Sequence, residues 1–112
     1  MAEPINKAQL SDLRYLLGDA FEELISTFQR ESQTHLKTIL TAYEQYNNAL
    51  GMTAAQALKG VSGNIGANEL AAYCQKLIMQ CKDHRLQHSE VFVQAVLEEL
   101  HRVSHFLRHE AV

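Results

Sequence analysis

The chain has 112 residues, 46% of them hydrophobic and 21% charged, with a net charge of −3. That composition is globular and excludes disorder, and its acidic balance leaves no basic field to hold a nucleic-acid backbone. No apolar run is long enough to cross a membrane, the opening Met1-Ala2-Glu3-Pro4 leads into no signal-peptide block, and two cysteines are too few for a disulfide framework. A single domain over residues 1–112 is expected, in a reducing, cytoplasmic compartment, with neither membrane nor nucleic acid as partner.

Pro4 is the one proline, no Asn-Gly or Asp-Gly pair occurs, and no strand-like alternation is sustained, so the chain reads as all-α. A short helix is predicted over residues 8–16, with Leu10, Leu13, Leu16 and Leu17 on one side and Gly18 as its stop. Asp19-Ala20-Phe21-Glu22 has the spacing of a capping box, and Glu22 and Glu23 suit the positive end of a helix dipole. The second helix keeps its period through Phe21, Leu24, Ile25, Phe28, Leu36, Ile39, Leu40 and Tyr43 to about residue 46, roughly 40 Å of helix. Its apolar row weakens where Ser32 and His35 take inner slots.

Residues 47–51 are expected to form a turn ending at Gly51. A third helix over 52–63 would bury Ala54, Ala57, Leu58 and Val61, and a break follows at 64–66. The fourth helix, over 67–84, turns Leu70, Cys74, Leu77, Ile78 and Cys81 inward. After a polar turn at 84–88, Ser89 is placed to cap a fifth helix with the stripe Phe92, Val96, Leu100, Val103 and Leu107. Its acids (Glu90, Glu98, Glu99) come early and its bases (Arg102, Arg108) late, as the dipole favours. Four amphipathic helices on short connections predict an antiparallel up-down-up-down four-helix bundle, with the short extra N-terminal helix across one end. One such bundle closes its own core, so a monomer is expected.

The oddest stretch is Ala55-Gln56-Ala57-Leu58-Lys59-Gly60-Val61-Ser62-Gly63-Asn64-Ile65-Gly66-Ala67, with three glycines in seven residues. It closely resembles the signature of histidine-phosphotransfer (HPt) domains, H-x-L-K-G-x-x-x-N-x-G-A. The segments Phe21-Glu22-Glu23-Leu24-Ile25-Ser26-Thr27-Phe28 and Leu70-Ala71-Ala72-Tyr73-Cys74-Gln75-Lys76-Leu77 also look like the family. The resemblance runs from about residue 10 to residue 107, and the family's four-helix bundle agrees with the helix map.

One departure decides the chemistry. The position of the family's phosphoryl-accepting histidine is Gln56, and the third helix contains no histidine. Positions 56, 59, 60 and 63 share one helix face. The resemblance implies that this face docks the receiver domains of response regulators, including that of a hybrid sensor kinase, in a bacterial-type two-component phosphorelay. Lys59 would steady the phosphoryl group, and Gln56, Lys59, Gly60, Gly63 and Asn64 would form the docking surface. Gln56 has no nucleophilic nitrogen, because its amide lone pair is delocalised, though the amide can still hydrogen-bond at both ends. As written, then, no residue is catalytic and the chain accepts no phosphoryl group. An engineered replacement of the histidine and a natural pseudo-HPt that sequesters receivers fit equally. The resemblance implies a phosphocarrier or adaptor rather than an enzyme, with no cofactor of its own; any magnesium belongs to the receiver.

Gly60 and Gly63 each cost a helix interior about 1 kcal/mol relative to Ala. They serve either a docking notch or the close approach of a neighbouring helix, and the resemblance favours the notch. Outside this stretch, His101, His105 and His109 recur at helical spacing and could grip zinc or copper. They lie off the apolar stripe with no partner pattern, so a solvated face and no metal site is expected. Cys74 and Cys81 read as small core residues. His35 reads as a boundary residue, Tyr43, Tyr46 and Tyr73 as rim aromatics, and Ser62 lacks an adjacent base. The competing functions are a helical interaction module with a non-receiver partner and, behind it, a metal-binding bundle.

Overall fold

The computed structural model describes residues 3–109. Met1 and Ala2 of the N-terminal reading, and residues 110–112, lie outside the described residues. Five α-helices follow in order: α1 (Lys7–Leu17), α2 (Ala20–Gln45), α3 (Asn48–Asn64), α4 (Asn68–Lys82) and α5 (Glu90–His109), with one 3-10 turn at Leu86–His88 before the last. No strand occurs among the described residues. The largest dimension is 42 Å, close to the length of α2.

Amphipathic periodicity closes the bundle. The α3–α4 and α2–α3 pairs pack most extensively, α5 completes the ring against α4 and α2, and α1 lies on α2. Ile39, Leu58, Leu70, Leu77, Val96, Leu100 and Val103 are fully buried at the centre. Each such side chain contributes about 1.5–3 kcal/mol on leaving water. Ser32, in the weak part of the α2 row, is buried with them, its hydroxyl donating to the Gln29 carbonyl at 3.4 Å. Short turns reverse the chain. Tyr46 (φ +54°) ends α2, and Asn47 Oδ1 accepts the Leu50 N–H at 3.0 Å to open α3. Gly18 (φ +54°) stops α1 where the sequence placed its end.

Several expectations need correction. α3 begins at Asn48 rather than 52, because Asn47 supplies its cap, and Gly51 is a buried position inside the helix, not a boundary. Asp19 makes no side-chain cap hydrogen bond: its backbone is already helical (φ −64°, ψ −22°), so its carboxylate does not turn back onto α2. Leu16 and Leu17 are 75% and 38% exposed, because α1 touches the bundle through Leu10 and, partly, Leu13. α3 extends through Asn64, while α4 runs only from Asn68 to Lys82. Ser89 does not cap α5 with its side chain; the hydroxyl donates back to the Arg85 carbonyl at 2.8 Å. Ala57 and Val61 are half-buried, their inner places taken by Ala55 and Ser62. Glu99 is more than a dipole partner: it is buried and paired with Arg102 Nη1 at 2.8 Å.

The N-terminal segment straps the α3–α4 turn. The Asn6 N–H donates to the Gly66 carbonyl at 2.9 Å, Gln9 Nε2 donates to the Gly63 carbonyl at 3.0 Å, and Ile5 is buried. Gly66 has φ +83°, and a Cβ there would stand 3.2 Å from Gln9 Cδ and 3.3 Å from the Asn6 carbonyl oxygen. Both the dihedral and the close approach require glycine.

Candidate functional site

The inner side of α3 is set by Ala54, Ala55, Leu58 and Ser62, all buried. With that side committed, helical spacing turns Gln56, Lys59, Gly60 and Asn64 to solvent, and all four are exposed. Gly63 is half-buried on the same face. A Cβ at Gly60 or Gly63 would meet nothing within 4 Å, so neither glycine serves the close approach of a second helix. They leave a strip without side chains beside Gln56 and Lys59, its Gly63 carbonyl covered by Gln9.

Packing against α4 completes the face with Gln75 and Lys82, to which spacing along the chain assigned no role, and with Ile78, which it placed in the core. Lys59 Nζ donates to Gln75 Oε1 at 2.7 Å, tying the ammonium across the groove between the helices. Gln75, Ile78 and Lys82 line, with Gln56, Lys59, Gly60 and Gly63, a surface hollow of about 530 Å³. Gln75, Ile78 and Lys82 recur at i, i+3 and i+7, which marks one side of α4. Only the pairing of α3 with α4 reveals that this side meets the motif. The Gln56 side chain makes no hydrogen bond among the described residues, and its amide is exposed to solvent.

Under the face lies Cys74, whose thiol is pushed up to about 12 by burial, with the Lys59 ammonium pulling the other way. Burial also raises the Cys81 thiol. Neither is a thiolate at neutral pH, and both sit in the core as small apolar residues do. Ser62 is buried, its hydroxyl donating to the Leu58 carbonyl at 2.6 Å, which leaves it out of reach of any ligand. His35 is half-buried on α2, away from the α3–α4 hollow. On α5 the His105 and His109 rings lie with centroids 4.3 Å apart, yet among the described residues no three His, Cys, Asp or Glu side chains gather as metal ligands. Among the described residues no helix is long and apolar enough to cross a membrane.

A family model, the Hpt domain, matches residues 23–106. The chain matches no curated protein. Among solved structures it is similar to histidine-containing phosphotransfer protein B (HptB) from Pseudomonas aeruginosa PAO1, with a TM-score of 0.92 and 24% identity, covering 99% of this chain and 96% of that one. At that identity the likeness establishes the bundle fold.

Proposed function

The chain belongs to the Hpt domain family, and from that premise we propose that it docks receiver domains through the α3 face of Gln56, Lys59, Gly60, Gly63 and Asn64 without taking a phosphoryl group from them. Hpt domains are phosphocarriers and adaptors of two-component phosphorelays rather than kinases. The observation that carries the reading is the bare strip at Gly60 and Gly63, open beside an exposed Gln56 and Lys59. Gly60 costs the helix interior about 1 kcal/mol and Gly63, one residue from the end of α3, costs less, and no described residue comes within 4 Å of a Cβ at either. A partner surface that fits down to the backbone accounts for them.

At the acceptor position the chemistry stops. An imidazole nitrogen can attack an aspartyl phosphate; the Gln56 carboxamide has no lone pair to do so and acts only as a hydrogen-bond donor and acceptor. The docked complex therefore ends in binding. Lys59 stays beside the partner's phosphoryl-bearing pocket, where exclusion of water strengthens its charge interactions.

Phosphorylated receivers from the source genome test this directly. The chain as it stands should take no acid-labile, alkali-stable label, and Gln56→His should take it. Gly60→Arg should abolish receiver binding with the fold intact, since an arginine there points into open space. Undiminished binding by Gly60→Arg would move the interface elsewhere and favour a helical module with a non-receiver partner.

A further inference from the structure

The hollow beside Gln56 has a second wall that docking through α3 alone leaves unexplained. Gln75 and Lys82 stand one turn before and one turn after Ile78 on the same side of α4, facing Gln56 and Lys59 across the hollow. Two ammonium groups and two carboxamides thus surround a space whose lining holds no carboxylate, on a chain of net charge −3. Neither lysine forms a salt bridge among the described residues. Lys59 uses one of its N–H donors on Gln75 Oε1. Its others remain, with the amide hydrogens of Gln56 and Gln75 and the three donors of Lys82.

That surplus of donors suits a particular anion. A single carboxylate offers two oxygens and one negative charge. A phosphoryl group offers three terminal oxygens and close to two charges, and charge-assisted hydrogen bonds to it are the strong kind. Gly60 and Gly63 leave room for a partner's surface to come close while it brings such a group in on a side chain. A nucleophile at position 56 would consume it; a carboxamide there holds it.

We propose that Gln56, Lys59, Gln75 and Lys82 form a cradle for the phosphoryl group of a receiver's aspartyl phosphate, held without transfer, so that the protein binds the phosphorylated receiver in preference to the unphosphorylated one. The proposal rests on the receiver-docking reading above and adds a state preference to it. No bond forms or breaks: the phosphoryl group stays on the partner's aspartate, and its oxygens accept hydrogen bonds from four side chains on two helices.

The test is calorimetric titration of receiver domains from the source genome, each with magnesium alone and with magnesium plus beryllofluoride, which occupies the place of the phosphoryl group on the aspartate. The loaded form should bind at least about tenfold more tightly, since even one charge-assisted contact is worth that much. Lys82→Ala and Gln75→Ala should each shrink that ratio, with melting temperatures that show both variants folded. Equal affinity for the loaded and unloaded forms overturns the cradle and leaves docking standing. A full preference in the Lys82→Ala, Gln75→Ala double variant overturns the assignment to α4. Receivers that bind in neither form overturn the docking reading, and the cradle falls with it.

Discussion

Gly51 and Gly60 lie in the same helix and meet opposite surroundings. A Cβ at Gly51 would stand 3.0 Å from Leu86 Cδ2, 3.1 Å from Cys81 Sγ and 3.5 Å from Ala42 Cβ, so here α3 presses directly on the end of α4, the 3-10 turn and α2. At Gly60 the same atom would project into empty space. Both residues carry the same helix penalty. The penalty at Gly51 is offset by packing that any side chain would block. At Gly60 and Gly63 no packing offsets it, which is why those two positions, and not Gly51, belong to the proposed docking surface.

Substitutions at each glycine should separate the two regions. Gly51→Leu forces a branched side chain into occupied space and should destabilise the protein by about 3 kcal/mol, read as a lower midpoint in urea. An unchanged midpoint would mean that Leu86 and Cys81 yield freely, and the contrast would lose its packed side. Gly66→Ala should cost about 1–2 kcal/mol, because its positive φ disfavours a Cβ that also crowds Gln9 and Asn6. Gly60→Ala and Gly63→Ala should act in the other direction, each stabilising the helix by up to about 1 kcal/mol while weakening receiver binding. Should both variants gain stability and bind as before, the strip has no docking role.

The smallest effect concerns the thiols under the two regions. The folded chain keeps a proton on Cys74 that the unfolded chain releases above the ordinary value of 9.0. The protein binds more protons folded than unfolded in that range, so the contribution is intact below pH 9.0 and is lost as pH rises toward about 12. Melting temperatures between those limits should fall less steeply for Cys74→Ala than for its parent. A thiol-specific disulfide reagent at neutral pH should label neither cysteine until the bundle opens, since both are buried and protonated.

Much of the bundle could be read along the chain because its helices are amphipathic and local. The inward rows of α4 and α5 depend on a 3.6-residue period that neighbours reinforce, and Leu70, Cys74, Leu77, Val96, Leu100 and Val103 are all buried where that period puts them. The α3 motif was legible in the same way: spacing alone places 56, 59, 60 and 63 on one face. Reading failed where a local signal had two outcomes. Gly51 punctuates a turn as readily as it admits a neighbouring helix, and Asn47 settles the matter by capping α3 ahead of it. Asp19 and Glu22 have the capping-box spacing, yet the tight Gly18 turn leaves Asp19 helical. Leu16 and Leu17 share a side of the first helix with Leu10 and Leu13, but the short α1 meets α2 along too narrow a strip to cover them.

The sequence by itself determined the helix content, the core rows of the long helices and the residues of the α3 face, because each of these follows from spacing within one segment. It also determined that position 56 carries no nucleophile, since that is a matter of side-chain chemistry alone. Tertiary structure decided the rest: that Gly60 and Gly63 are bare while Gly51 is packed, that Gln75 reaches Lys59 at 2.7 Å, and that Lys82 joins the same hollow. Those facts depend on which sides of α3 and α4 come together. That pairing is set by the fit of whole apolar faces across the bundle, to which no single stretch of sequence holds both halves.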